Sequence, residues 1–591
     1  MIMMLCASAV SAQSQAGVDL AAMRGWDIVV APEAIPSEQH AAEEFRDLFA
    51  DSSGVELPIV TSTDRPDNHV FIGQSPQMNT SNVGFDTKGF GDEDLRIVIR
   101  DGNIAIAGGR PRGTLYGVYT FLEDYVGVRF LTYDHTYVPK IGKSRVIGPV
   151  DRFYHPPLEF RWSFYKENEV NPPFSVRLRI NTISSDPKLG GKTGISLISH
   201  TFYHQLPVRE YGQAHPEYFA LVDGKRDIDA PNGDPQLCLT NPDVLGIVTA
   251  AVLRELGENP AARNVSVSQN DNERYCRCEK CAAIDEREGS SMGSLLTFVN
   301  AVADEVAKTR PDVMVGTLSY QYSRKPPRHL KPRPNVQIQL CSIECSVMHP
   351  IDDPKIDKNV TFCRDMVEWG KISRNIYIWS YNTNFGNFLL PCPNLRVIEP
   401  NIRFFVANNA KGVFMQGVYT TLSGEFSDLR NYVTSNLLWD PNRNFRQLMD
   451  EFLNLHYGRS ADPIRRFINL VHDHAQASGL ATGCGGQAKD FAIDESIARA
   501  GLDAFDEAMK LADSDAVRGR VEKASICAYR AAIEPVNRFD DPSQVDAELA
   551  LRMRPLVKRW IELCHKYSVT DVHENGPFER RAGRISRALG L

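Results

Sequence analysis

The chain has 591 residues, 42% of them hydrophobic and 24% charged, with a formal charge of −8 and a pI near 6.0. That length and balance predict a multi-domain globular protein with at least two hydrophobic cores. Its acidity argues against nucleic acid or an anionic membrane surface as the main partner, and past the N-terminus no segment reaches the length of a membrane-spanning helix.

Residues 1–16, MIMMLCASAVSAQSQA, read as the end of a secretory signal: an apolar run, then small residues with a cleavage site after Ala12. The basic n-region is missing, as though the true start lay upstream, and Cys6 has no lipoprotein setting. Export to the periplasm or the medium is the expectation. Twelve cysteines are too few for a disulfide scaffold at this length. Most are expected as buried thiols or local pairs.

Residues 25–150 read as a compact α/β domain. A strand at 27–31 precedes a helix at 37–50 capped by Ser37, and a second strand follows at 70–73. Segments 95–100 and 103–107 form a hairpin through Asp101-Gly102, a strong turn signal. The stretch 108–130, GGRPRGTLYGVYTFLEDYVGVRF, carries a helix with Leu115, Val118, Tyr119 and Leu122 on one face, closed by Gly127.

From about 155 to 440, apolar runs alternate with helical patterns. The strands are predicted at 160–164, 195–200, 237–240, 265–268, 313–320, 336–341, 376–380 and 413–416. Repeated β-then-α order implies parallel strands with right-handed crossovers, and eight such units suit a closed (β/α)8 barrel. Residues 441–591 read as helical with almost no strand signal. Their apolar stripes are Leu502, Phe505 and Met509, then Val517, Val521, Ala524 and Ala528, then Leu556, Trp560 and Leu563. No catalytic constellation is evident there, and packing against the barrel or a second subunit is the expected role.

In a barrel, the chemistry gathers at the C-terminal ends of the strands. Those ends supply His200, Asn270 with Asp271, Tyr320 with Tyr322, Glu344, then Trp379, Tyr381 and Asn382, and finally Gln416, Tyr419 and Glu425. There is no Gly-rich phosphate cradle, nucleophile elbow or metal-binding histidine pair. Aromatic rings with acids and amides are what sugars require, and two carboxyl groups are the minimum for glycoside hydrolysis. Each residue has a plainer reading. Glu344, flanked by Cys341, Ile343 and Cys345, is either functional or bridged to an Arg or Lys. Asp271 caps its loop or touches substrate, and Glu425 is a first-turn acid of the next helix or a ligand. His200 is structural or substrate-facing. Trp379 and Tyr381 are core aromatics or, as their Asn-rich context WSYNTNFGN favours, walls of a wet cleft.

Cys276, Cys278 and Cys281 form a C-x-C-x2-C run after Asp271. Zinc there needs a fourth ligand, with Cys238, Cys341 and Cys345 all open, and in an exported protein disulfides compete. If 341–345 stays extended, Cys341 and Cys345 are roughly 13 Å apart and cannot bond each other.

The stretch 108–130 resembles the end of the N-terminal domain of family 67 alpha-glucuronidases, itself similar to the small domain preceding the barrel in family 20 beta-hexosaminidases. SHTFYHQLP, HPEYFALVDGKR, LCLTNPDV, SVSQNDNERYCRCEKC, YQYSRKPP and LCSIECSVMHP resemble a bacterial domain-of-unknown-function family, number 4838. Together the resemblances cover roughly residues 25–440. They imply a glycosidase barrel without handing over its catalytic residues. Where family 20 enzymes carry an Asp-Glu pair after the fourth strand, this chain has Asn270-Asp271. The alpha-glucuronidase pattern makes Asp271 and Glu344 the counterparts of its acid and later carboxylate.

The expectation is an exported glycoside hydrolase for an acidic or N-acetylated sugar, with Asp271 as general acid and Glu344 as base or nucleophile. No cofactor is required beyond a structural zinc at the cysteines, if one is present. A carbohydrate-binding barrel without turnover is the alternative, and a metal-dependent hydrolase a third reading. Arg110 and Arg112, in the rigid Gly-Gly-Arg-Pro-Arg-Gly turn, either pair with barrel acids or reach the cleft rim and select anionic sugars.

Overall fold

The computed structural model describes residues 16–230 and 233–591. Apart from Ala16, the expected signal segment lies outside the described residues. The chain forms two compact units. The first runs up to Phe130 and adds Thr136–Pro156 and Ser184–Lys192; the second comprises Leu131–His135, Pro157–Ile183 and Thr193–Leu591.

The first unit is built on six strands, β1 (Asp27–Val29), β2 (Ile59–Val60), β3 (His69–Ile72), β4 (Leu95–Arg100), β5 (Asn103–Gly108) and β6 (Val150–Tyr154), in the order β6-β4-β5-β3-β1-β2. β5 is buried along its whole length, as the small and apolar run after Asn103 requires of a central strand. Asp101 and Gly102 both take left-handed φ values, 43° and 79°, the turn expected between β4 and β5. Helix α1 (Pro36–Ser53) departs from the prediction at its start. Pro36 opens it, the Glu38 carboxylate accepts from the Ile35 amide at 3.0 Å, and Ser37 is no cap. The Ser37 hydroxyl instead donates to the Pro111 carbonyl at 2.6 Å. Helix α2 (Gly113–Phe121) runs on into one π-turn, and Gly127 ends it in the left-handed conformation as expected.

The second unit holds a parallel sheet of six strands. They are β7 (Phe160–Phe164), β8 (Asn264–Ser266), β9 (Met314–Ser319), β10 (Val336–Cys341), β11 (Ile376–Tyr381) and β12 (Ala410–Gln416), ordered β7-β12-β11-β10-β9-β8. Helices α3 (Met292–Ala307), α4 (Asp357–Ile372) and α5 (Ile398–Ala407) lead into β9, β11 and β12. The apolar stripe Leu295, Phe298, Val299, Val302 and Val306 is buried on α3. This is the (β/α) barrel expected from the strand–helix order.

Two predicted strands do not join the ladder. Segment 195–200 runs beside β8, but its bonds there come from side chains. Asn264 exchanges two hydrogen bonds of 2.7 Å with the Ser196 backbone, and the Ser266 hydroxyl donates to the Ser199 carbonyl at 2.6 Å. Ile195 and Ile198 thereby stay in the apolar clusters of the sheet. Segment 237–240 makes a single antiparallel bridge, Leu237 to Phe219, and turns at once, the Asn241 amide reaching the Cys238 carbonyl at 3.0 Å.

The C-terminal helices belong to the same unit as the barrel. Trp560, Val557, Leu563, Ile526 and Phe578 form one cluster with Leu389 of the barrel. A hairpin of β13 (Asp571–His573) and β14 (Gly576–Pro577) interrupts this helical region. It docks back on the barrel loops: the Phe388 amide donates to the Val572 carbonyl at 2.8 Å, and the Thr570 amide to Thr421 Oγ1 at 2.8 Å. Among the described residues, no helix is long and apolar enough to cross a membrane.

Candidate functional site

The loop that follows β8 is built from amides. Gln269 is fully buried and donates to Ser323 Oγ at 2.7 Å. Asn270 is also buried; its side chain accepts from the Tyr203 amide and donates to the Pro235 carbonyl, both at 2.8 Å. Gln236 clasps the Asn270 backbone from both sides. Asn270, expected at the substrate, instead lies beneath the site as scaffold, its side-chain oxygen and nitrogen both engaged with backbone. The next residue, Asp271, is lifted into the open with its side chain 63% exposed.

Asp271 lines a cavity of about 300 Å³ with His200, Tyr320, Trp379, Tyr381, Gln416 and Glu574. Leu318, Cys341, Ile343, Phe385 and Cys484 complete its wall. The Tyr320 hydroxyl donates to Asp271 Oδ1 at 3.0 Å. Burial, with the Asp271 charge beside it, holds that phenol far above its ordinary range, so it remains a donor. His200 Nδ1 lies 2.6 Å from the Gln269 carbonyl and so must carry the proton. This aims Nε2 at Asp271 Oδ1, 3.8 Å away. Trp379 and Tyr381 stack with their centroids 6.1 Å apart, and Trp379 Nε1 donates to Gln416 Oε1 at 2.8 Å. Burial raises the Cys484 thiol to about 11 and keeps it protonated.

The second carboxylate in the cavity is Glu574, at the turn between β13 and β14. The Tyr419 hydroxyl donates to its Oε1, and Tyr419 itself stacks on Phe164 at 4.5 Å. Burial and that carboxylate raise the Tyr419 phenol well above its usual value. Each acid in the cavity is thus oriented by a tyrosine. The sequence reading missed Glu574. The available signal was Asn575-Gly576, a hairpin turn inside an otherwise helical stretch, where Asn575 takes a φ of 57°.

Glu344 is not among the lining residues. Its Oε2 accepts from Arg324 Nη1 at 2.8 Å, and Arg324 also holds Asp365 at 2.9 Å. Of the two readings open for Glu344, the structure has the arginine bridge. Glu425 is buried, its carboxylate bound by Arg430 at 2.7 Å within a bonding set that includes the Cys392 carbonyl, and it is not among the lining residues either. Arg110 belongs to the first unit, where Glu38 takes it in a bidentate pair of 3.1 and 2.9 Å. Arg112, buried, binds Glu93 at 2.7 Å. Both arginines are held by acids of their own unit, not by acids of the barrel. The chain after Cys341 does not stay extended either: a turn brings the Cys345 amide to the Ser342 carbonyl at 3.0 Å.

A larger groove of about 740 Å³, with Arg530, Arg581, Arg584 and Glu534 in its lining, lies among the C-terminal helices. Its described lining contains no aromatic ring, so the smaller strand-end cavity is the better match to a sugar.

Parallel strands alternating with helices, with an acid- and aromatic-lined cavity at the C-terminal ends of the strands, place the chain among the (β/α)-barrel proteins. Within that class, the family model described as a domain of unknown function, DUF4838, matches residues 130–469, and the chain belongs to that family. No curated protein matches it. Among solved structures it is similar to a family GH115 4-O-methyl-alpha-glucuronidase, BtGH115A, with specificity for decorated arabinogalactans. That match has 11% identity and a TM-score of 0.56, and covers 96% of this chain and 78% of that one. Clostridium perfringens CpGH89, in complex with GlcNAc-alpha-1,4-galactose, matches at 11% identity and a TM-score of 0.48, over 90% of this chain and 65% of that one. Streptomyces plicatus beta-hexosaminidase, in complex with GlcNAc, matches at 13% and 0.39, over 75% and 92%.

Proposed function

We propose that the protein is an exported glycoside hydrolase whose catalytic carboxylates are Asp271 and Glu574, in place of the expected pair of Asp271 and Glu344. The observation that carries this is the presence of both acids, each fixed by a tyrosine hydroxyl, in one aromatic-walled cavity. Glycoside hydrolysis needs one carboxyl group to protonate the leaving oxygen and a second to act as base or nucleophile. Asp271 keeps the acid role expected of it, and Glu574 takes the second role. Trp379 and Tyr381 offer flat apolar faces for sugar C–H groups, and Gln416 an amide for hydroxyls or an acetamido group.

Of the two sugar classes expected, the lining favours the N-acetylated one. Among the described lining residues none is Lys or Arg, and an acidic sugar would face two carboxylates with no guanidinium or ammonium group opposite them. Arg110, the proposed selector of anionic sugars, is neutralised by Glu38.

The test is a panel of chromogenic N-acetylhexosaminides, neutral glycosides and glucuronides. Turnover is expected on an N-acetylated substrate, with Asp271→Asn reducing kcat at least about 100-fold and leaving the thermal midpoint in place. A binding barrel without turnover is the competing reading, and the pairing of Glu344 with Arg324 favours it. Calorimetric binding of a sugar with no hydrolysis of any glycoside would decide for that reading.

A further inference from the structure

We infer that Cys238, Cys276, Cys278 and Cys281 together bind one zinc ion in a closed structural site. The sulfur atoms of these four residues, and of no other described cysteine, all lie within 4.8 Å of one another. Cys238 Sγ and Cys278 Sγ are 3.8 Å apart. A tetrahedron with Zn–S bonds of about 2.3 Å has an edge of about 3.8 Å, so that pair already has the spacing of a four-thiolate zinc site and the others need close by no more than about 1 Å. A disulfide needs its sulfurs at about 2.05 Å, and all four cysteines are free.

The surroundings suit thiolates. The Leu221 amide donates to Cys276 Sγ at 3.3 Å, and Thr240 Oγ1 lies 3.3 Å from Cys281 Sγ. Outer hydrogen bonds of this kind orient metal ligands and share their charge. Cys278 stands at the N-terminus of helix Glu279–Glu288, whose first turn favours negative charge. Cys238, Cys276 and Cys281 are buried and Cys278 half-buried, which leaves no open position for a catalytic water. Four sulfur ligands in tetrahedral array select zinc over hard cations such as magnesium or calcium.

The fourth ligand explains segment 237–240. It turns away from the barrel sheet and carries Cys238 to the cluster instead. The ion would join three pieces of chain: the loop 272–281, the segment at Cys238, and the hairpin of Leu221–Val222 with Lys225–Arg226, to which the Arg277 amide bonds through the Leu221 carbonyl at 2.9 Å. Asp271 lies five residues before Cys276, so the same ion would anchor the loop bearing the proposed acid. The site does not depend on that acid being catalytic.

The test uses the full chain purified under reducing conditions without added metal. Elemental analysis should find one zinc per chain. Zinc stripped by a strong chelator should lower the thermal midpoint, and added Zn2+ should restore it. Cobalt loading should give the visible absorption of a tetrahedral thiolate complex. Cys278→Ser, at the most accessible ligand, should lose the ion; should that variant fail to fold, the native-chain stoichiometry and cobalt spectrum still decide. Two disulfides found among these four cysteines by mass spectrometry would overturn the inference. So would four alkylatable thiols in a chain that takes up neither Zn2+ nor Co2+.

Discussion

At the scale of single residues, Glu344 and Glu574 show what a strand-end rule can and cannot see. Glu344 follows β10 at the expected place, but position along a strand does not reveal that Arg324, twenty residues earlier, reaches across to claim its carboxylate. Glu574 lies far outside the barrel sequence, so no strand-end survey reaches it. Asp271 was legible because the apolar run before it stops in a cluster of amides, and those amides are the scaffold that exposes it. Two substitutions separate the acids. Glu574→Gln should lower kcat about 100- to 10,000-fold with the thermal midpoint unchanged. Glu344→Gln should leave kcat within a few-fold and cost about 1–3 kcal/mol of stability, because it removes the charged partner of a largely buried Arg324. Reversal of these two outcomes in steady-state kinetics would restore Glu344 to the mechanism. Glu425→Gln should be the more damaging structurally, by about 3–5 kcal/mol in denaturant unfolding, since it strands the fully buried Arg430.

At the scale of elements, most of the barrel could be read from the sequence. β7, β10, β11 and β12 begin or end within a few residues of where the apolar runs place them. Segment 195–200 shows why a pattern of apolar residues is not a strand. Its isoleucines are buried as predicted, yet it meets β8 through the side chains of Asn264 and Ser266, and periodicity carries no information about such bonds. Asn264 also donates to Gln337 of β10 at 2.9 Å, so one side chain ties this segment to the sheet interior. Asn264→Leu should leave the Ser196 amide and carbonyl without these partners and cost about 2–4 kcal/mol. Because the segment ends at His200, the same variant should also raise KM, with thermal melting and kinetics as the two readouts.

At the scale of the whole molecule, the second unit encloses histidines that folding keeps neutral. His472 is buried between the Leu395 amide, which donates to its Nε2, and the Ile468 carbonyl, and burial lowers its pKa to about 3. His135 and His456 share a hydrogen bond of 3.0 Å between their Nδ1 atoms; burial lowers His135 to about 4 and His456 well below its usual value. The unfolded chain protonates these rings near pH 6.5, so between pH 6.5 and 4 it binds more protons than the folded one. Their contribution is therefore complete above pH 6.5 and is lost as pH falls. Glu167 works in the opposite direction, since burial raises its carboxyl to about 7. The comparison that isolates the histidine is with His472→Asn, whose thermal midpoint should fall less steeply than that of the wild type from pH 6.5 to 4. Equal slopes would show that His472 titrates alike in both states.

The hairpin of β13 and β14 gives the cavity a chronology. Asp271 leaves the ribosome about 300 residues before Glu574, an interval of roughly 15–60 s at ordinary synthesis rates of about 5–20 residues per second. Once Tyr381 has been added, and until Val572 follows, a nascent chain has Trp379 and Tyr381 but lacks the strap that Val572 pins over Phe388. The aromatic wall is therefore synthesised before Glu574, and a chain arrested between the two lacks the second carboxylate of the proposed pair.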